Sequence, residues 1–189
     1  MKGFLQMIEE SGYTTLGILV IMVLIIGITI PFLLRLTESS CYASAWTNLG
    51  DLGSDMRSSI RNEASPPLRF SLGLSNCIKG VVFVNREDEQ YSDIIKNYCK
   101  GHESYVAYII GIPYDEDTEP ICKNLEHGIT SGGQTAIPLG YPEKTNKGEV
   151  YCLKIDAVGI AGQSDFNYMI NLESCTAEEQ EKNKADANK

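Results

Sequence analysis

The sequence offers little that a cofactor or metal needs. It has two histidines, His102 and His127, and no C-x-x-C pair. Neither histidine stands at metal-ligand spacing from a cysteine, so no zinc site is expected. There is no Gly-Lys-Ser/Thr to cradle a phosphate and no N-x-Ser/Thr acceptor for N-glycosylation. Basic residues are scarce: 16 Lys and Arg stand against 25 Asp and Glu, for a formal net charge of -9. Nucleic acid, whose phosphates call for a basic face, is therefore not an expected partner. No catalytic set emerges either. Cys99 and His102 are close in sequence, but a thiol nucleophile must be reduced, and the reading of the cysteines below favours a disulfide. Paired carboxylates cannot be told from the acidic surplus. The histidines read as surface residues, and the chain does not read as an enzyme.

One long stretch lacks charge altogether. Residues 13–34, YTTLGILVIMVLIIGITIPFLL, hold no Asp, Glu, Lys or Arg. About 20 apolar residues at 1.5 Å rise span a bilayer core. A soluble core helix would carry a polar face at helical period, and Thr14, Thr15 and Thr29 do not form one. In hydrocarbon a helix satisfies all its own backbone groups. The expectation is one transmembrane helix, written as 13–36 with its flank, after a 1–12 leader or cytoplasmic N-terminus. A removed signal peptide is the rival. It is disfavoured by the length of the run and by Glu9 and Glu10, which stand where positive charge belongs. Pro31 removes a hydrogen bond and should kink or loosen the helix.

All six cysteines, Cys41, Cys77, Cys99, Cys122, Cys152 and Cys175, follow the apolar run. An even set of this kind reads as up to three disulfides in an oxidising compartment, each contributing roughly 2–4 kcal/mol. Six cysteines allow fifteen pairings, and the sequence does not choose among them. The Lys/Arg bias across the membrane is weak. The disulfides therefore set the topology: N-terminus inside, C-terminal domain outside.

The N-terminus reads MKGFLQMIEESG. Lys2-Gly3 followed by Phe4-Leu5, then a membrane helix, resembles the leader of archaeal type IV pilin-like precursors. The run around Gly27 and Pro31 is similar to the Gly and Pro of bacterial pilin helices. A second cut, between Gly12 and Tyr13, would give a start similar in cadence to bacterial pilins, with Gly17 where those place a glutamate. Cutting between Gly3 and Phe4 would make Glu9 the sixth mature residue. The resemblance covers about the first 35 residues. It implies a filament subunit, processed by a prepilin-peptidase-like protease, built in by an assembly platform, and self-assembling through its apolar helix. Physically, such a helix must be apolar on every side. Small residues such as Gly17 and Gly27 let helices approach closely. A carboxylate such as Glu9 or Glu10 would pair with a neighbour's amine, because a buried charge needs a partner. The competing expectation is a single-pass anchor carrying an extracellular binding or adhesion domain.

Residues 37–62 continue as an amphipathic stem helix, with Tyr42, Trp46, Leu49, Leu52 (or Gly53), Met56 and Ile60 as its apolar stripe. Gly50 and Gly53 weaken it by roughly 1 kcal/mol each, and a break near Gly50 is the fallback. Cys41 is placed to tie this stem to the domain. Residues 63–175 read as a small α+β domain with a mixed or antiparallel sheet. Pro66-Pro67 marks a loop. Strands are expected at 77–85, 104–112, 149–158 and 165–174, with a parallel pairing open for the first two. Short helices are expected at 93–99, capped by Ser92, and at 121–128. The acidic loop at 115–119 is a weak calcium candidate without the EF-hand spacing. Residues 176–189 read as a polar tail.

Overall fold

The computed structural model describes residues 2–74, 76–101, 104–140 and 149–178, with side chains at 20–30 and from residue 40 onward. Helix α1 runs Lys2–Ser59. The chain divides into two compact units, 1–40 and 41–189. In the second unit the last part of α1 is followed by β1 (Leu68–Gly73), β2 (Ile78–Asn85), a 3-10 turn (Glu89–Tyr91), α2 (Ser92–Tyr98), β3 (Ala107–Pro113), β4 (Ile121–Leu125), β5 (Ile129–Thr130), β6 (Ala136–Leu139), β7 (Val150–Gly159) and β8 (Phe166–Glu173). The unit is α+β and cross-linked by three disulfides. In place of one sheet there are two, ordered β1-β7-β8-β5 and β4-β3-β2-β6.

The core lies where α1 meets the inner faces of both sheets. Ala45, Leu49, Leu52, Met56 and Ile60 are buried against residues from both sheets, among them Phe83, Ile109, Leu153 and Ile155. Rows of side chains cross each sheet in register. Leu68, Ile155 and Ile170 form one row, and Ile137, Phe83 and Ile109 another. The expected stem stripe holds except at Trp46, which is 54% exposed, while Ala45 takes the inward place. Neither stem glycine breaks the helix, which runs through both to Ser59.

Those glycines explain an element the sequence hides. Residues 121–125 form a strand, not a helix: Ile121, Lys123 and Leu125 alternate with Cys122 and Asn124. Lys123 occupies an inward position, which conceals the period-2 pattern. Its stem passes Gly53, whose position would hold a Cβ 3.8 Å from Lys123 Cβ, and its Nζ lies 3.4 Å from the same point on Gly50. The ammonium ends 2.9 Å from the centroid of the Trp46 ring, a cation–π contact. Burial first, and Arg57 next, hold this lysine below the usual range, with Asp51 opposing. Gly111 on β3 serves a similar purpose. A Cβ there would lie 2.7 Å from Leu49 Cδ1, so glycine lets the helix settle onto the sheet.

Three further expectations change. The pairing of β2 with β3 is antiparallel, Val82 opposite Ile110. Ser92 is not the cap. Asp88 accepts from Gln90 N–H and begins the 3-10 turn that leads into α2, whose N-cap Tyr91 makes no side-chain cap bond. Strands β1, β5 and β6 are not among the expected strands. Strand β6 contains Pro138; it pairs with β2 and lies at a sheet edge, where proline is tolerated.

A second core lies on the outer face of the β4-β3-β2-β6 sheet. Val82, Val84, Tyr108 and Ile110 meet Tyr91, Ile95 and Cys99 of the 3-10 turn and α2. The sheets are joined by Asn85, whose Nδ2 donates to Ile129 O at 2.8 Å and whose Oδ1 accepts from Ile129 N at 2.7 Å. One side-chain amide thus copies a strand's donor and acceptor and holds β5, which is only two residues long.

His127 is not on the open surface. Its ring stacks on Phe166 at 3.9 Å, and Nδ1 sits 2.8 Å from Asp165 Oδ1. Tyr168 packs edge-on beside it with its hydroxyl buried and unpartnered. Burial, then Glu126, push that phenol up to about 12, with Arg57 opposing and Asp165 adding to the rise.

Leu52→Ala should lower stability by about 2–5 kcal/mol, while Trp46→Ala should stay within about 1 kcal/mol, by denaturant titration of the oxidised protein. Because the folded phenol of Tyr168 holds its proton more tightly than the unfolded one, wild-type stability should fall from about pH 10 towards about pH 12. Tyr168→Phe should flatten that decline and remove an unsatisfied hydroxyl, leaving neutral-pH stability equal or higher.

Candidate assembly helix

The first unit offers one feature with functional content. At residues 20–30 α1 is apolar and exposed throughout. Val20, Ile21, Met22, Val23, Leu24, Ile25 and Ile26 are each about half exposed or more. Seven successive residues at about 100° each pass every direction around the axis, so there is no polar side. Ile28 reaches 72% and Ile30 52%. The hydroxyl of Thr29 donates to the Ile25 carbonyl within the helix, so even this polar group is turned onto its own backbone. Gly27 has no atom within 4 Å of where a Cβ would stand. A contiguous exposed apolar surface of this kind marks a site that meets lipid or protein.

Among the described residues no helix is long and apolar enough to cross a membrane. The expected span 13–34 has its side chains described only at 20–30, about half of what a crossing needs. Gly3, Phe4, Glu9, Glu10, Gly12, Tyr13 and Gly17 lie within α1, and their side chains fall outside the described set. Pro31 falls inside the same helix, without interrupting its assignment.

No family model matches the chain, and no curated protein or solved structure is significantly similar to it.

The second unit grips the continuation of the helix. Cys41 is bonded to Cys77 just ahead of β2, and Cys77 N–H lies 3.1 Å from Cys41 Sγ. The next residue, Tyr42, donates its hydroxyl to Glu119 O at 2.7 Å, and burial followed by the Glu119 carboxylate pushes that phenol up. Cys99–Cys122 joins the end of α2 to β4 across the second core. Cys152–Cys175 closes the segment after β8 onto β7. All six cysteines are paired, each with its next neighbour along the chain. The sequence contained the participants but no signal for the pairing, which depends on the register of strands it did not reveal.

Among the described residues no group of three or more His, Cys, Asp or Glu is placed to hold a metal. In the acidic loop Asp115 is committed to its own turn: Oδ1 accepts from Asp117 N–H at 3.2 Å and Oδ2 from the Thr118 hydroxyl at 3.0 Å. His102 lies outside the described residues.

Replacing Cys41 and Cys77 together by Ser should cost the second unit about 2–4 kcal/mol. Peptide mapping without reductant should recover the pairs 41–77, 99–122 and 152–175, and denaturant titration should give the loss.

Proposed function

We propose that the chain is a type IV pilin-like subunit of a surface filament. Its apolar N-terminal helix anchors it in the membrane before assembly and packs against neighbouring helices after it. The observation that carries this reading is the 20–30 stretch, exposed and apolar on every side, in a helix that continues into a disulfide-linked α+β head. A helix that must face lipid first and protein later can afford no polar flank. Three disulfides support a head outside the reducing cytosol. The leader-like Lys2-Gly3-Phe4 start supports processing by a prepilin-peptidase-like protease before an assembly platform extracts the subunit. Glu9 or Glu10 then supplies the carboxylate that meets a neighbour's new amine, and Gly17 and Gly27 permit close helix approach.

Intact mass of the purified full chain tests this. Loss of residues 1–3, or of 1–12, is expected, and Gly3→Val or Gly12→Val at the true site should abolish it. An N-terminus left intact would instead favour a single-pass anchor carrying a binding or adhesion domain.

A further inference from the structure

The face of α1 that turns away from the core between residues 44 and 61 carries charge of two signs on separate flanks. Asp51 is exposed and Asp55 half-buried on one flank. Arg57, exposed, lies roughly 120–160° around the helix from them. Arg61 follows just past the helix end, held to it by a 3.0 Å bond from Nε to Ser58 O. Lys123 reaches the basic flank from β4 and lies over the exposed ring of Trp46. The strip between the flanks holds Thr47, Ser54 and Ser58, all exposed. Among the described residues none of Asp51, Asp55, Arg57, Arg61 or Lys123 forms an ion pair. Burial first and repulsion by Arg57 next hold Lys123 below its usual range, while Asp51 attracts it.

The spacing is regular. Asp51 precedes Arg57 by six positions, and Asp55 precedes Arg61 by six. Six helical residues rise about 9 Å. A parallel neighbour displaced by that distance would bring Asp51 level with Arg57 and set Asp55 towards the end of the helix, where Arg61 is held by its bond to Ser58 O. Because the flanks lie on different sides of the helix, the contact is head-to-tail rather than self-symmetric, and it can repeat from copy to copy. Trp46 on the basic flank is the large aromatic such an interface uses as an anchor.

We propose that this outward face is a docking surface for a second copy of the chain, with the Asp51/Asp55 flank of one copy set against the Arg57/Arg61 flank of a parallel neighbour displaced by six residues. The inference rests on the membrane-anchored subunit reading, which makes neighbouring copies parallel. A chain of net charge -9 repels its own copies, and local pairing of opposite flanks sets the register in which they can still meet.

The test uses the full chain in membranes, with chemical cross-linking to measure the oligomer ladder and Trp46 emission as a local readout. Asp51→Arg with Asp55→Arg makes both flanks basic, and Arg57→Asp with Arg61→Asp makes both acidic. Each pair alone should cut the ladder at least tenfold and remove the blue shift of Trp46 that accompanies assembly. An equal mixture of the two, or all four changes in one chain, should restore the ladder to within about twofold. Circular dichroism melting and the three disulfides should match wild type in every variant. Ladders unaffected by either pair would overturn the docking surface while leaving the subunit reading intact. So would failure of the mixture and of the four-fold variant to restore assembly in well-folded protein. A wild-type chain that forms no oligomers at all would overturn both.

Discussion

The contact on which residues 41–178 depend is one stripe of one helix. Leu49, Leu52, Met56 and Ile60 lie against two sheets at once, so a single element supplies the partner for both inner faces. Burying apolar surface contributes about 25 cal/mol per Å², and among the described residues neither sheet has another helix on that side to bury against. The close approach is permitted by glycine at Gly111 on the strand. The same logic runs in reverse on the helix. There Gly53 and Gly50 open a path for the Lys123 side chain, which enters from an inward strand position and delivers its charge to the indole ring outside. The apparent weaknesses of the stem helix are the spaces into which its neighbours fit.

The rest of the head compensates for its size. A domain of this length divides its apolar residues between two cores, and the smaller one, under α2, is closed by Cys99–Cys122. Small secreted domains commonly add such bonds where the core alone is thin. Asn85 performs a related task without covalency, since its amide bonds both backbone groups of Ile129 and so ties the two sheets together.

How much of this was legible depended on whether a segment's period survived its environment. Strands β7 and β8 read plainly, because Leu153, Ile155, Phe166, Tyr168 and Ile170 alternate inward without interruption. The buried run 81–84 and most of the stem stripe read equally well. Strand β4 did not, because Lys123 stands at a position where the pattern asks for an apolar residue. Strand β6 was masked by Pro138, and β5 is too short to carry any period. The division into two sheets was beyond reach for a different reason: it depends on which strands pair across long separations, as when β1 joins β7. The apolar run near the N-terminus was conspicuous, since chain chemistry alone defines it.

The bond between Cys41 and Cys77 has a mechanical side. Any tension arriving along α1 from its N-terminal part meets, at its first residue in the head, a covalent link into the start of β2. That strand has hydrogen-bonded neighbours on both sides, β3 and β6. Load is thereby shared with a laddered sheet before it can peel Leu49 and Leu52 from their sockets. A reduced head would have to carry the same strain through side-chain packing and the Tyr42 bond to Glu119 O.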